Sequence, residues 1–410
     1  MLLIQKKIIP YFFFQTFMQQ INKMRKEGFI FFVRLIPFIF FNILFFSTRA
    51  QDSSHLRISL LTCTPGQELY STFGHSALRI IDSSSVTDIV FNYGTFNFDD
   101  EGFYLKFVRG KLMYYLSIEN FKDFKEAYMS ENRGITEQVL LLSAKEKLQL
   151  QEAMLLNLKE NNRFYKYDFF LDNCTTRLRD MILRHKEKSL VLPAVTMPTT
   201  KFRTAIHTYL DKNENHWSKL GIDFLLGLPT DAVMTTSQSQ FLPDVLMKAM
   251  DSSNSQQYWV APPLHLYPLK KEDTTTVFFT PLVIFSLLTL AIFAISFFAN
   301  KWVAIFLQGF DGLLFFLTGI GGIILILMWI ATDHAMCKNN FNLLWALPTN
   351  IILAFHVSKR KGRIKKYFGI TALLLTLILC SWFFLPQQMN NAFIPLVLLM
   401  IIRTGRKYFS

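Results

Sequence analysis

Tyr167-Asp168-Phe169-Phe170-Leu171-Asp172-Asn173-Cys174-Thr175-Thr176-Arg177-Leu178-Arg179 is the stretch on which the reading of the fold turns. Asp172 or Asn173 predicts a helix N-cap, because a short polar side chain accepts from the orphan N–H groups of the first turn. The helix should run to about His185 and bury Leu178, Met181 and Ile182. Cys174 then falls in the first turn, where unpaired N–H groups and the helix dipole favour a thiolate, and Arg177 and Arg179 add positive charge nearby. The thiolate is the nucleophilic form. The alternative is a structural thiol or a Cys63–Cys174 disulfide. The four cysteines, Cys63, Cys174, Cys337 and Cys380, are too few for a disulfide scaffold.

A thiol nucleophile needs a base. Upstream, Tyr70-Ser71-Thr72-Phe73-Gly74-His75-Ser76-Ala77-Leu78-Arg79 places His75 at the mouth of a predicted strand, after a glycine that lets the backbone approach closely. Asn92, in Phe91-Asn92-Tyr93-Gly94, sits on the next predicted strand, where its amide could orient the imidazole. Leu56–Thr62, Ala77–Ile81, Ile89–Tyr93 and Lys111–Ile118 read as strands. Ser143-x-x-Glu146 is a capping box that starts a helix with Leu148, Leu155, Leu156 and Leu158 on its apolar face. The oxyanion donors would be the Cys174 backbone N–H and a second group, for which Tyr70 is the weak candidate. The eight histidines show no H-x-x-x-H and the cysteines no C-x-x-C spacing, so neither metal nor cofactor is expected.

Composition extends the picture to the membrane. The chain is 51% hydrophobic with 43 Phe, more apolar than a soluble enzyme of 410 residues. Its net charge of +13 is concentrated outside the centre: residues 51–276 carry 25 Lys/Arg against 27 Asp/Glu, which leaves no footprint for nucleic acid. Basic Met24-Arg25-Lys26, apolar Phe29–Phe46 and small residues near Ser47–Ala50 have the layout of a secretory signal or N-terminal anchor over residues 1–50. Residues 51–270 form an exported domain, with 186–270 as loop and short helix near the membrane. Five apolar spans are expected in 277–402: Val277–Phe298, Gly312–Ala331, Phe341–Val357, Phe368–Leu385 and Ala392–Ile402, with 403–410 as an inner tail. The positive-inside rule puts Lys359–Lys366 and the terminal basic residues inside and the loop Thr332–Asn340 outside with the domain.

Taken together, Leu61–Gly66, Gly74–Arg79, Asn92–Phe96, Phe107-Val108-Arg109-Gly110-Lys111, Asp172–Arg177 and the loop Asp333-His334 through Asn339-Asn340-Phe341-Asn342 to Trp345 resemble the Lnb family of bacterial lipoprotein N-acyltransferases over almost the whole chain. The resemblance implies an α+β exported domain, permuted papain-like with an antiparallel sheet and helices, in which the His strand precedes the Cys helix. An all-α transmembrane bundle should follow, in a multi-pass protein of the bacterial inner membrane with its catalytic domain in the periplasm. It implies Cys174, His75 and Asn92 as catalytic residues, and Tyr70, Arg79, Arg109, Asn173, Arg177, Asp333, His334 and Asn339 as substrate-binding ones. The implied partners are a membrane phospholipid as acyl donor and a diacylated lipoprotein as acceptor, joined through a Cys174 thioester. The competing classes are a papain-like cysteine peptidase or amidase of cell-wall peptides, which would not need five spans, and a non-enzymatic membrane sensor or assembly domain.

Overall fold

The computed structural model describes residues 16, 18–20, 22–25, 54–187, 191–253, 259–268, 278–359 and 362–409. Two compact units divide the chain, Met1–Ser53 and Ser54–Ser410. In the first, residues 18–20 and 22–25 are helical; the rest of the expected signal or anchor lies outside the described residues.

The second unit opens with a sheet. Its strands are β1 Leu56–Cys63, β2 His75–Asp82, β3 Thr87–Thr95, β4 Met113–Asn120, β5 Ile135–Val139, β6 Phe164–Lys166 and β7 Leu264–Tyr267. Every pairing is antiparallel and the order is β6-β4-β3-β2-β1-β5-β7. Alternation decides which side chains face which layer. Leu60, Leu78, Ile80, Phe91 and Leu116 fill one face, while Leu61, Cys63, Ala77, Val90 and Ile135 fill the other under Phe124. Burying each large apolar side chain contributes about 1.5–3 kcal/mol.

Helices cover both faces. Those that position the site are α1 Phe103–Val108, α2 Phe121–Ser130, α3 Ala144–Leu158, α4 Cys174–Arg184, α5 Phe202–Lys212, α6 His216–Leu225 and α7 Pro243–Ser252. Residues 186–270, expected as loop and short helix, thus supply α5 to α7 and the edge strand β7. Ser143 caps α3 in the expected box with Glu146. The apolar face of α3 differs from the expectation: Leu150 and Met154, one turn apart, are buried with Lys147 and Glu146. Leu148, Leu155 and Leu156 are exposed on the other side, because the sheet selects the i, i+4 stripe centred on Leu150.

The C-terminal half is helical: α8 Pro281–Ile295, α9 Lys301–Ile330, α10 Arg363–Ser381 and α11 Phe393–Phe409. Of these, α9 and α10 are long and apolar enough to cross a membrane. The third expected span, Phe341–Val357, is not one helix but a 3-10 turn, Phe341–Leu344, and a short helix, Asn350–Ala354. Pro348 explains the break, since it lacks an N–H and clashes with a preceding turn. The segment runs along α9 with Ala346, Asn350 and Leu353 wholly buried, the setting in which non-helical backbone is tolerated at membrane depth. Gly322 makes this possible: a Cβ there would sit 2.0 Å from the Ala346 carbonyl oxygen. Residues 403–409 are not a tail either. They are the last turns of α11, because Arg403 and Lys407 pair with the buried Asp311 of α9.

Domain and bundle meet through buried polar groups. Asn340 Nδ2 donates to the carbonyls of Phe224 and Leu225, Asn342 Nδ2 to that of Asp223, and Asn390 Nδ2 to the Asp223 carboxylate. Arg203, fully buried, holds Asp223 and Asp231 from the domain side.

Candidate active site

Asn173 caps α4: its Oδ1 accepts from the Thr176 N–H, and the Thr176 hydroxyl accepts from the Asn173 N–H. Cys174 is therefore the first residue of the helix, 8% exposed. Burial alone would raise its thiol. The charge and hydrogen bond of His75, the Ser76 N–H and the Thr175 hydroxyl outweigh burial and bring the pKa down to about 7. Thr175 is itself held by the Ser76 hydroxyl at 3.0 Å. The expected arginines do not do this work. Arg177 is neutralised by Asp172 at 2.6 and 2.7 Å, and Arg179 pairs with Asp180.

His75 is the first residue of β2. Gly74 makes the preceding turn with φ +79°, and a Cβ there would sit 2.6 Å from the Cys63 carbonyl oxygen, so only glycine fits. The register Leu78↔Phe91 brings His75 and Asn92 near each other on one face. His75 Nε2 and Asn92 Oδ1 are 3.1 Å apart, and Asn92 Nδ2 donates to Glu119 Oε1 at 2.8 Å. Glu119 thus fixes the amide so that its oxygen faces the imidazole, which leaves Nδ1 for the thiol. Burial opposes the imidazolium, but the Cys174 charge and the bonds to Cys174 and Asn92 override it and hold the His75 pKa above its ordinary value. A cavity of about 260 Å³ borders His75, Asn92, Gly94 and Glu119.

Cys63 is a free thiol like Cys174. It stands in register with His75 on the neighbouring strand, within the core cluster under Phe124, where burial pushes its pKa up to about 12 and keeps it unreactive.

The other anticipated residues divide into three groups. Asn173 is the cap, and its amide is spent on the Phe169 and Phe241 carbonyls. Arg79 chelates Asp88 at 2.8 and 2.6 Å, reaches Glu137 and lies over Phe121, four residues along the strand from His75. Tyr70 is 66% exposed and, among the described residues, shares no hydrogen bond with Cys174, His75 or Asn92. Arg109, Asp333 and His334 do come together, as a joint. The Arg109 carbonyl accepts from the Asp333 N–H at 2.9 Å, and the His334 ring faces the Phe107 carbonyl at 3.2 Å. Asp333 also binds Lys166 of β6. Asn339 stays exposed, and its backbone carbonyl accepts from the Leu228 N–H.

Sequence reading missed Glu119 and Tyr165. Glu119 follows Ser117 on the same face of β4, a signal legible only once β4 is paired with β3. The Tyr165 hydroxyl is buried without a hydrogen-bond partner among the described residues. It lies 4.0 Å from where a Gly94 Cβ would be, and Cys174 Cβ lies 3.7 Å from the same point. Burial, reinforced by the charge at Cys174, pushes its pKa far above the phenol range, so it remains an O–H donor. Among the described residues no group of three or more His, Cys, Asp or Glu is placed to hold a metal ion.

An α+β domain carrying a cysteine at a helix N-terminus and a histidine at the start of a nearby strand, followed by apolar helices, has the make-up of a membrane protein with a folded domain outside the bilayer. The chain belongs to the Lnb family: the model of the Lnb N-terminal periplasmic domain matches residues 45–207 and that of the Lnb transmembrane domain matches 272–410. No match to the chain was found among curated proteins or among solved structures.

Proposed function

We propose that this protein is a membrane-embedded acyltransferase that moves an acyl chain from a phospholipid ester to the α-amine of an S-diacylglyceryl cysteine at a lipoprotein N-terminus. The observation that carries the reading is the Cys174–His75 pair, its thiol lowered to about 7, on a domain locked to an apolar bundle in a chain of the Lnb family. A thiol site fixed at the membrane meets two substrates that are both lipid-bound. A soluble enzyme would draw each chain out of lipid at about 0.8 kcal/mol per methylene.

In the first half-reaction the Cys174 thiolate attacks the ester carbonyl carbon. A C–S bond forms, the C–O bond to the glycerol breaks, and the leaving alkoxide takes the proton held by His75 to give a lysophospholipid. In the second, the lipoprotein amine attacks the thioester. A C–N bond forms, the C–S bond breaks, His75 takes the surplus amine proton, and the thiolate is restored. The oxyanion of each tetrahedral intermediate would be met by the Cys174 N–H and the unpartnered Tyr165 hydroxyl. Asn92 and Glu119 hold the imidazole in its tautomer. In the membrane the domain and residues 332–340 would lie on the periplasmic side and Lys359–Lys366 inside, in the inner membrane of a bacterium.

The test is mass spectrometry of the purified full-length protein incubated with phospholipid. An acyl adduct on Cys174 with equimolar lysophospholipid, discharged by a diacylated lipopeptide to the N-acylated product, is the expected result. Free amino acids or peptide fragments, without an acyl adduct, would favour a peptidase instead.

A further inference from the structure

Five aromatic rings join the nucleophile to the membrane end of the domain. Phe107 stacks on Phe103 at 6.2 Å between centroids, Phe103 meets Phe96 at 5.9 Å, Phe96 meets Tyr114 at 5.3 Å, and Tyr114 stacks on Tyr167 at 4.4 Å. Tyr167 ends the series 3.5 Å from the position of a Gly94 Cβ, beside Cys174. Rings packed only for stability would be covered, but Phe96, Tyr114 and Tyr167 are half-buried and Phe107 is 51% exposed. Phe103 is 8% exposed, so the strip is an apolar surface open to water at Phe107 and again from Phe96 to Tyr167.

Its far end is α1, where Tyr104, Leu105 and Val108 are exposed at 78%, 64% and 51%. The end of α1 is bonded to the outer end of α9 through Asp333 and His334, and α9 exposes Leu327 and Ile330 just before that joint. α1 and the end of α9 thus both carry exposed apolar side chains beside one joint, the kind of surface that an apolar environment covers.

We propose that this strip is the track for the fatty acyl chain of the donor, with the chain tail at α1 and the ester carbonyl at Cys174. The assignment rests on the acyl-transfer reading above and names where that substrate lies. An extended peptide would need backbone donors and acceptors along its path, whereas the strip presents ring faces and edges. Each methylene left in water instead of apolar cover costs about fourfold in occupancy, so a covered track is what lets a long chain reach the thiol without leaving an apolar environment.

The experiment uses full-length protein with vesicles of dipalmitoylphosphatidylethanolamine or with monomeric dihexanoylphosphatidylcholine, and measures the acyl thioester on Cys174 by intact mass. Two variants, Phe107→Asp at the exposed mouth and Phe96→Ala in the middle, are compared with wild type, and iodoacetamide alkylation of Cys174 reports an intact site. The ratio of palmitoyl to hexanoyl adduct should fall about tenfold in each variant, with alkylation as in wild type. An unchanged ratio in both variants, with normal wild-type thioester, removes the track and leaves the acyl-transfer reading standing. Absence of any wild-type adduct from either donor overturns that reading, and the track with it.

Discussion

The buried charge cluster of the bundle and the polar cluster at the end of the sheet are built in opposite ways. In the bundle, Asp311 is fully buried and saturated: Arg403 chelates it at 2.6 and 3.0 Å, Lys407 adds a contact at 3.1 Å, and Arg403 also donates to Ser296. At Cys174 the charge and hydrogen bond of His75 bring the thiol down to about 7, and the neighbouring buried Tyr165 hydroxyl has no hydrogen-bond partner among the described residues. The bundle cluster has every group satisfied, as lipid demands, since an unpaired charge at membrane depth is expensive. The sheet-end cluster keeps a nucleophile and a donor available, and the surrounding rigid sheet bears the cost. The first cluster should control stability and the second reactivity.

The largest effect expected is on chemistry. Cys174→Ser and His75→Ala should each reduce thioester formation by about ten-thousandfold or more, and the double variant should be no worse than either, because the pair acts as a unit. Alkylation of Cys174 against pH sharpens this. The wild-type rate should rise through about pH 7, where the thiolate forms. In His75→Ala the cause that outweighs burial is gone, so the midpoint should move to 9 or above, and alkylation at pH 7 should fall roughly fiftyfold. An unmoved midpoint would mean that His75 does not hold the thiolate. Neither variant should shift the melting temperature by more than a few degrees.

Next comes the bundle. Asp311→Ala leaves Arg403 and Lys407 uncompensated and should destabilise the detergent-solubilised protein by about 3–5 kcal/mol. Below its melting transition the Cys174 alkylation profile should match wild type. A profile shifted without loss of stability would break the division between the clusters. Tyr165→Phe should do the reverse, slowing acylation about a hundredfold with little change in melting, because an orphan hydroxyl adds nothing to folding. If the variant instead keeps full rate, the second oxyanion donor lies elsewhere.

Much of this was legible in the sequence because it follows from local pattern. Alternation places β1 to β4, and the Ser143 and Asn173 caps place α3 and α4. What escaped depends on pairing or backbone path. β5 buries Thr136, Glu137 and Gln138 and so shows no apolar alternation, and β6 is three residues long. Hydropathy counts composition, so Phe341–Val357 reads as a span although Pro348 breaks its helix. In the site, His75, Asn92 and Cys174 are named by their local setting, whereas Arg79, Asn173 and Arg177 are expected at the substrate only through the family resemblance. The structure spends them internally, on Asp88 and Glu137, on the cap and on Asp172.

The smallest effect expected is at Glu119, where the two kinds of cluster come closest in character. Its carboxylate is solvent-facing yet bonded to Asn92 at 2.8 Å. Partial burial raises its pKa, and the bond to Asn92 and the charge of His75 pull the other way without cancelling that rise. Glu119→Gln keeps an oxygen to accept from Asn92, so the amide stays oriented, but it removes a negative charge that favours the imidazolium. The upper limb of the pH–rate profile, set by His75 losing its proton, should therefore move to lower pH, with only a fewfold loss at the optimum. Glu119→Ala removes the acceptor as well, frees Asn92 to turn, and should cost more in kcat than in KM. If Gln and Ala behave alike and neither moves the upper limb, Glu119 is an ordinary edge-strand carboxylate, and Asn92 alone positions the imidazole.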